Sequence, residues 1–304
     1  MLRVCWVPMN YKGSSASIRI TIWNISQYLS KVGSNYGVSV SDFVEEKYSE
    51  DVDYLAEKYD ILVTNKMGYC PKNKIKIRFI DDSINFTKEC ISRYDAVVST
   101  SNYHSQNYMR PVVGDKAFVI EEALETPIEL CKIHSDVEKP RIVWCGSSGN
   151  VTYVQDVLDK IKSAGYNLDI IAGKGYGNVE WSLETVWDNI VKNDIAIVPS
   201  IRGIRDGFDF EAKTSGRIAM YMALGVPVIA TPLPSAMEII SPGINGCFAN
   251  SIEEFLELIN VLSNKKLRIA VSDNAREMIY QNHSVEFIAN QWVNLFNKLL
   301  KAVR

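Results

Sequence analysis

The residues best suited to chemistry lie in residues 209–232, where a polar loop runs into a predicted helix. Basic and small side chains stand together at the helix entrance, namely Lys213, Ser215, Gly216 and Arg217. The free backbone N–H groups of a helix start and the positive end of the helix dipole favour an anion there. This stretch is therefore predicted to bind a phosphate-bearing ligand.

The element that positions these residues reads as a loop, a helix, a glycine and a strand. Ile218, Met222 and Ala223 fall on one face of the helix, Gly225 ends it, and residues 226–231 form an apolar strand. Such a unit is typical of a parallel α/β sheet.

The polar loop before this helix follows another predicted strand, residues 194–199, and carries Arg205, Asp209 and Glu211. Open α/β sheets bind ligands at the carboxyl ends of their strands, which favours a functional reading of these charges. A solvated surface turn is the alternative.

A glycine- and serine-rich turn follows the predicted strand 142–145. Gly146 allows a ligand to approach the backbone, Ser147 and Ser148 can donate their hydroxyls, and Asn150 is a suitable helix N-cap. Gly173 follows the next strand and could pass beside a flat base. Because the turn is neither GxGxxG nor a P-loop, it is either a plain β–α turn or a ligand loop.

The N-terminal half repeats this β–α organisation and has its own polar residues at strand ends and helix starts. They are Gly13, Ser14, Arg19, Lys66, Asp81 and Asp82. The glycine and serine either cap a helix or receive a phosphate. The acid pair either positions a hydroxylated acceptor or caps a helix.

Length and composition favour two folded α/β domains. A chain of 304 residues exceeds the usual size of one domain, and 23% charged with 47% apolar residues is ordinary for a folded protein. Residues 121–140 are rich in charge and have the character of a linker. The predicted domains are residues 1–136 and 137–285, followed by a final helix over 286–304.

Composition also excludes several classes of function. A net charge of -3 gives no general attraction to nucleic acid. The six cysteines form no CxxC pair and the three histidines are far apart, which predicts reduced thiols and no zinc site. The sequence has no signal peptide and no apolar run of about 20 residues, so a cytoplasmic protein is expected.

Residues 213–232, followed by EIISPGINGCF at 238–248, resemble the GT-B-type retaining glycosyltransferases of the glycosyl transferases group 1, or family 4-like, type. The shared features are the basic helix entrance, the YMALG helix end, the PVIAT strand and the turn that begins at Glu238. VWCGSSGN and DIAIVP are similar to two further strands of that family's donor domain. The resemblance covers about residues 141–304 well and the N-terminal half loosely.

The resemblance implies a GT-B fold, in which two Rossmann-like parallel-sheet domains face a central cleft and the C-terminal helix crosses back to the N-terminal domain. It implies transfer of a sugar, of hexosyl type, from a nucleotide-sugar donor to a hydroxyl of a glycan or another acceptor. Retention at the anomeric carbon is expected. Neither a metal nor a cofactor besides the nucleotide-sugar co-substrate is expected, while peripheral contact with a membrane is compatible with the family.

The resemblance also assigns roles to residues. Lys213 and Arg217 would stabilise the departing diphosphate, with Glu211 and Asp209 as further catalytic candidates. The donor would be bound by Gly146, Ser147, Ser148, Asn150, Gly173, Arg205, Ser215, Gly216 and Glu238, and the N-terminal polar residues would face the acceptor or the cleft. Ala212 and Met220 occupy the positions of two family glutamates, for which Glu211, Asp209 or Tyr221 could substitute.

Two alternatives follow from the same residues. A non-catalytic GT-B-like protein that binds a nucleotide or glycan is favoured by the replaced glutamates and disfavoured by Lys213, Arg217 and Glu238. A GT-B-fold epimerase is disfavoured by the scarcity of histidines. A dinucleotide-dependent oxidoreductase is weaker still because neither half has a GxGxxG motif.

Overall fold

The computed structural model describes residues 1–7, 19–40, 55–65, 75–80, 86, 88–206 and 208–303. They form two compact units. Unit 1 comprises Met1–Ala123, Arg205–Thr214 and Asn282–Arg304, and unit 2 comprises Leu124–Ile204 and Ser215–Gln281. Residues 124–136, which the sequence assigns to the first domain, thus group with the second unit, and the final helix groups with unit 1.

Unit 1 is built on a six-stranded parallel sheet in the order β2-β1-β3-β4-β5-β6. Its strands are β1 (Leu2–Val7), β2 (Val38–Val40), β3 (Ile61–Asn65), β4 (Ile75–Phe79), β5 (Ala96–Ser99) and β6 (Ala117–Val119). β3 and β5 are buried along their whole length, as apolar strands covered on both faces of a parallel sheet must be.

The helices that the structure describes in unit 1 are short except for the last. They are α1 (Asn24–Val32), α2 (Leu55–Lys58), α3 (Lys88–Ser92), α4 (Asn102–His104), α5 (Arg110–Val113) and α12 (Val285–Val303). Two π-helical turns, Arg19–Trp23 and Ser105–Met109, precede α1 and α5. The 3₁₀ turns of this unit are Gly33–Tyr36, Gly114–Lys116 and Phe210–Ala212.

The core of unit 1 joins the first strand to the last helix. The Trp6 ring meets Trp292 at 5.8 Å and Phe296 at 5.7 Å between ring centroids, both edge to face. Ile288, Trp292, Phe296 and Leu299 are buried at helical spacing, so one apolar face of α12 completes the core.

Unit 2 is a second six-stranded parallel sheet, in the order β14-β13-β10-β7-β8-β9. Its strands are β7 (Ile142–Cys145), β8 (Leu168–Ala172), β9 (Val179–Glu180), β10 (Ile195–Val198), β13 (Val228–Ala230) and β14 (Cys247–Phe248). This is the doubly wound order of Rossmann folds, in which the winding reverses between the first and fourth strands. Here those strands are β7 and β10.

The helices of unit 2 are α6 (Ser148–Ser163), α7 (Val186–Val191), α8 (Gly216–Ala223), α9 (Pro234–Ile239), α10 (Ile252–Val261) and α11 (Lys265–His283). α8 ends as predicted at Gly225, which has φ +68°. The N–H of Gly225 donates to Met222 O and that of Val226 to Tyr221 O, which together make a Schellman motif.

The polar loop predicted between β10 and α8 has more structure than the sequence suggested. It contains a small two-stranded sheet, β11 (Ile204–Arg205) with β12 (Phe208–Asp209), followed by the Phe210–Ala212 turn.

The two parallel sheets confirm the α/β class and the pair of Rossmann-like domains. None of the helices that the structure describes combines the length and the apolar character needed to span a bilayer.

Candidate functional site

The Gly146 turn lies at the switch point of the unit 2 sheet. It follows β7 directly, and β7 neighbours β10 where the winding reverses. Open α/β sheets bind ligands in the crevice that forms at this position.

Helix α6 begins within this turn, at Ser148, without a described side chain to cap it. Ser147 occupies the N-cap position with extended backbone, and the first turn has no acidic residue. The prediction that Asn150 is the N-cap is therefore wrong. Asn150 lies inside the helix, and its N–H donates to Ser147 O at 2.9 Å. The N–H groups of this helix start are oriented to receive an anion.

Arg217 lies against the same turn. Its guanidinium carbon is 5.5 Å from the centre of the Trp144 ring, which gives it a cation–π contact. Within the part of the chain that the structure describes, Arg217 has no hydrogen-bond or ion-pair partner. A partly buried guanidinium in this state can offer its donors to an incoming anion.

Gly146 is the residue that permits this packing. A Cβ at position 146 would lie 2.7 Å from the Trp144 ring and 3.3 Å from the guanidinium carbon of Arg217. Any larger residue would therefore displace the tryptophan, the arginine or the turn.

The turn rests on a buried hydrogen bond. The N–H of Cys145 donates to the hydroxyl oxygen of Tyr221 at 2.7 Å, and Tyr221 is fully buried. Burial raises the pKa of the Tyr221 phenol well above its usual value and that of the Cys145 thiol to about 11. Tyr221 is thus a support of the turn, and it does not reach a ligand in place of the missing family glutamates.

The other predicted donor residues of unit 2 lie at several places. Ser148 lies against Gly173, because a Cβ at position 173 would come within 2.5 Å of the Ser148 hydroxyl oxygen. Ser215 is buried as the N-cap of α8, next to Gly216 and directly before Arg217. Glu238 is exposed on α9.

Asp209 belongs to unit 1 and is 3% exposed. One carboxylate oxygen, Oδ2, accepts hydrogen bonds from the Tyr108 hydroxyl at 2.5 Å and the Tyr103 hydroxyl at 3.4 Å. The other, Oδ1, accepts from the N–H of Glu211 at 3.0 Å. Burial and, after it, Asp209 raise the pKa of both phenols, which therefore remain donors at neutral pH.

Lys213 also belongs to unit 1, and its ammonium group lies between two aromatic rings. The Nζ atom is 5.6 Å from the centre of the Phe208 ring and 5.3 Å from that of Phe210. Both distances fall in the range of cation–π contacts. Next to Lys213, the Thr214 hydroxyl donates to Glu122 Oε2 at 3.0 Å.

Two charged candidates of the same segment are more exposed. Arg205 pairs with Asp206 at 3.9 Å, and both side chains are more than 60% exposed. Such a surface pair contributes little to stability. Glu211 is partly buried, and its backbone N–H donates to the Asp209 carboxylate.

The two positions where the family resemblance expects glutamates differ in their surroundings. Ala212 is 0% exposed, whereas Met220 is partly exposed at the border of the unit 2 core. A carboxylate at position 212 would be buried without solvent.

The acceptor-side candidates are described only in part. Arg19 is 5% exposed at the start of the first π-helical turn. Gly13, Ser14, Lys66, Asp81 and Asp82 lie outside the described residues.

Sequence reasoning missed Trp144, Tyr103 and Tyr108. The two tyrosines are five residues apart, a spacing that an α-helix turns by about 140° to different faces. Tyr108 lies within the π-helical turn Ser105–Met109, whose i→i+5 bonding rotates each residue by less than an α-helix does, and both hydroxyls reach Asp209. No pattern in the sequence predicted this π-helical turn. Among the described residues, no group of three or more His, Cys, Asp and Glu side chains could hold a metal ion.

Comparison with known proteins agrees with this architecture. Residues 158–294, somewhat less than half of the chain, match the family described as glycosyl transferase-like. No curated protein sequence matches the chain significantly.

Solved structures show the same fold at low sequence identity. A glycosyltransferase from Rickettsia africae superposes with a TM-score of 0.66 at 15% identity, over 99% of each chain. HepE of Anabaena, solved with UDP-glucose, gives 0.66 at 13% identity, over 98% of this chain and 100% of its own. TarM of S. aureus gives 0.63 at 16% identity over 80% of this chain, which spans only 57% of TarM. These similarities confirm the GT-B fold and the resemblance to glycosyltransferases.

Proposed function

We propose that the chain is a glycosyltransferase, a proposal supported by the family match of residues 158–294 and by the GT-B fold. It transfers a hexosyl unit from a nucleoside-diphosphate sugar to an acceptor hydroxyl, with retention at the anomeric carbon. The reaction needs no metal or other cofactor, because fixed cationic and backbone donors meet the charge of the diphosphate.

One observation carries this proposal. Arg217, with no described anionic partner, lies against Gly146 at the turn where the uncapped helix α6 begins. A guanidinium and a helix N-terminus at the switch point of a Rossmann sheet together suit a diphosphate. Ser147 and Ser148 supply hydroxyls at the same turn.

The chemistry follows from where charge grows. When the bond between the sugar and the diphosphate breaks, negative charge accumulates on the leaving phosphate oxygens. Donors that are already in place stabilise this charge more in the transition state than in the ground state. We assign this work to Arg217 and the α6 N-terminus, with Lys213 as a second cation and Gly173 beside the nucleoside.

The other predicted residues take lesser roles in this proposal. Glu238, Ser215 and Gly216 contribute to the donor site, while Arg205 and Glu211 receive no direct part in the reaction. Asp209 is fully engaged by hydrogen bonds and does not act as a catalytic base.

Two features of related structures guide the choice of substrates. HepE was solved with UDP-glucose, and TarM with UDP, an α-GlcNAc-glycerol and fondaparinux. We propose a uridine-diphosphate hexose as the first donor to try, and a glycan or another hydroxyl compound as acceptor. The cytoplasmic location and the peripheral membrane contact that the sequence analysis expects stay predictions.

The test measures binding and then turnover. Calorimetry with UDP, GDP, ADP and dTDP identifies the nucleotide, and a nucleotide-release assay with the matching sugars, with and without EDTA, measures transfer or hydrolysis. We expect one nucleotide to bind and its sugar to turn over equally in EDTA, and NMR of the product to show a retained anomeric configuration. Absence of binding by all four nucleotides would overturn the proposal.

A second candidate is a non-catalytic GT-B-like protein that binds nucleotide or glycan. The replacement of both family glutamates, by buried Ala212 and by Met220, favours it. Tight nucleotide binding without release of nucleotide from any sugar donor, across a panel of acceptors, would select it.

A further inference from the structure

We infer that Asp209 is a positioning residue that, through Tyr103 and Tyr108, fixes the segment carrying Lys213. This inference rests on the proposed function for its catalytic consequence. The contacts themselves are independent of any ligand.

The segment Arg205–Thr214 has an unusual place in the chain. It lies between two stretches of unit 2, yet it groups with unit 1. Its attachments to unit 1 are specific: Asp209 receives the two tyrosine hydroxyls in its middle, and Thr214 donates to Glu122 at its end. The segment is therefore held by unit 1 although it directly precedes the unit 2 helix that carries Arg217.

The two oxygens of Asp209 have different tasks. Oδ1 accepts the N–H of Glu211 and so caps the Phe210–Ala212 turn, which is the ordinary use of an aspartate at a turn. Oδ2 is not needed for that cap and is occupied by Tyr108 and Tyr103. A buried carboxylate requires compensating donors, and here unit 1 supplies them.

Fixing Asp209 also fixes the surroundings of Lys213. The two rings that flank the Lys213 ammonium belong to Phe208 and Phe210, the residues on either side of Asp209. Phe208 is 48% exposed, so its packing alone holds it weakly. The Asp209 contacts therefore set the position from which the Lys213 charge acts.

The test separates this role from nucleotide binding. Tyr108→Phe keeps the ring and removes the hydroxyl that makes the shorter bond to Asp209. We expect kcat to fall about tenfold, the typical effect of losing one hydrogen bond to a charged group, while the Kd for the nucleotide stays within about twofold of wild type because Arg217 and α6 belong to unit 2. Tyr103→Phe should have a smaller effect, since its bond is longer. Wild-type kcat in Tyr108→Phe would overturn the inference.

The double variant adds a second criterion. If Asp209 acts through Tyr108, the kcat of Asp209→Asn with Tyr108→Phe should be no lower than that of Asp209→Asn alone. Independent, multiplicative losses would show that Asp209 acts by another route. A matched control is Tyr166→Phe. Tyr166 lies two residues before β8, at the end of the parallel strands opposite to the Gly146 turn, so loss of its hydroxyl should leave kcat unchanged.

Hydrogen exchange keeps the test independent of the assumed reaction. Amides of residues 208–213 should exchange several-fold faster in Tyr108→Phe than in wild type, and not in Tyr166→Phe. Unchanged exchange would refute the tether even if no donor sugar is turned over, whereas faster exchange in a protein that lacks turnover would refute only the proposed function.

Discussion

The guanidinium of Arg217 lies over the Trp144 ring with 5.5 Å between its central carbon and the ring centre. The planar cation is thus held by an aromatic face and leaves its N–H donors for another partner. We expect Arg217→Ala to weaken nucleotide binding by about tenfold to a hundredfold, the equivalent of about 1.5–3 kcal/mol for hydrogen bonds to a charged group. Calorimetric titration with the preferred nucleotide measures this.

Arg217→Lys serves as its matched variant, because lysine keeps the charge and loses the planar fork. It should recover only part of the affinity. Both variants should unfold near the wild-type temperature, since no described ion pair is lost. Unaltered affinity in Arg217→Ala would remove this residue from the donor site.

Gly146→Ala tests the packing of the turn. The added methyl group would lie 2.7 Å from the Trp144 ring. Because the surrounding side chains must shift to make room, we expect the unfolding free energy to fall by about 1–3 kcal/mol. Gly149→Ala is the control: it adds a methyl group inside α6 with no heavy atom within 4 Å, and it should stabilise by at most about 1 kcal/mol. Urea denaturation measures the unfolding free energy of both variants. Similar changes in the two variants would contradict the explanation that position 146 is too crowded for a side chain.

Tyr221→Phe removes the acceptor for the Cys145 N–H and leaves that buried donor unsatisfied. We expect a loss of about 1–3 kcal/mol in unfolding free energy. Activity per folded molecule should fall little, because this hydroxyl is fully buried beneath the turn. A stable but inactive Tyr221→Phe protein would instead give the phenol a direct part in the reaction.

Restoring the two family glutamates should have unequal results. Ala212→Glu would bury a carboxylate at a position with 0% exposure and should destabilise unit 1 by several kcal/mol. Met220→Glu is at a partly exposed position and should be tolerated far better. Thermal unfolding compares the two, and equal tolerance would show that the Ala212 environment is not what excludes a carboxylate.

The stability of unit 2 should depend on pH through His134. Its Nε2 atom is 3.1 Å from both Gly225 O and the Ser272 hydroxyl, and burial lowers its pKa from the usual value of 6.5. Between the folded pKa and 6.5 the unfolded chain binds more protons, so stability falls as the pH drops through this range. Urea titrations at pH 7.5 and 5.5 should show a smaller difference between wild type and His134→Asn at the lower pH. A constant difference would contradict this.

The fold could be predicted from the sequence because its signals are local. The apolar run 142–145 predicted β7 at the bounds that the structure shows, and Gly225 marked the end of α8. The family resemblance assigned Gly146 to donor binding and Arg217 to the departing diphosphate, and in the structure the two residues lie side by side.

What could not be predicted depends on long-range contacts or on irregular backbone. The charges of residues 205–214 suggested a ligand loop, but nothing local indicates that Asp209 satisfies its carboxylate with tyrosines about a hundred residues earlier. Asn150 and Ser147 are both suitable N-cap residues by type. In the structure the helix begins at Ser148, one turn earlier than a cap at Asn150 would place it. For Tyr221, residue type alone could not distinguish a buried support from a ligand contact.

The contact of Trp6 with Trp292 and Phe296 has a consequence for biosynthesis. β1 is translated long before α12, against which it packs. Unit 1 therefore cannot close its core until α12 has been translated, although the residues of unit 2, which end at Gln281, can fold before that. Until α12 emerges, the nascent chain carries an open apolar sheet face, the kind of surface through which folding intermediates aggregate.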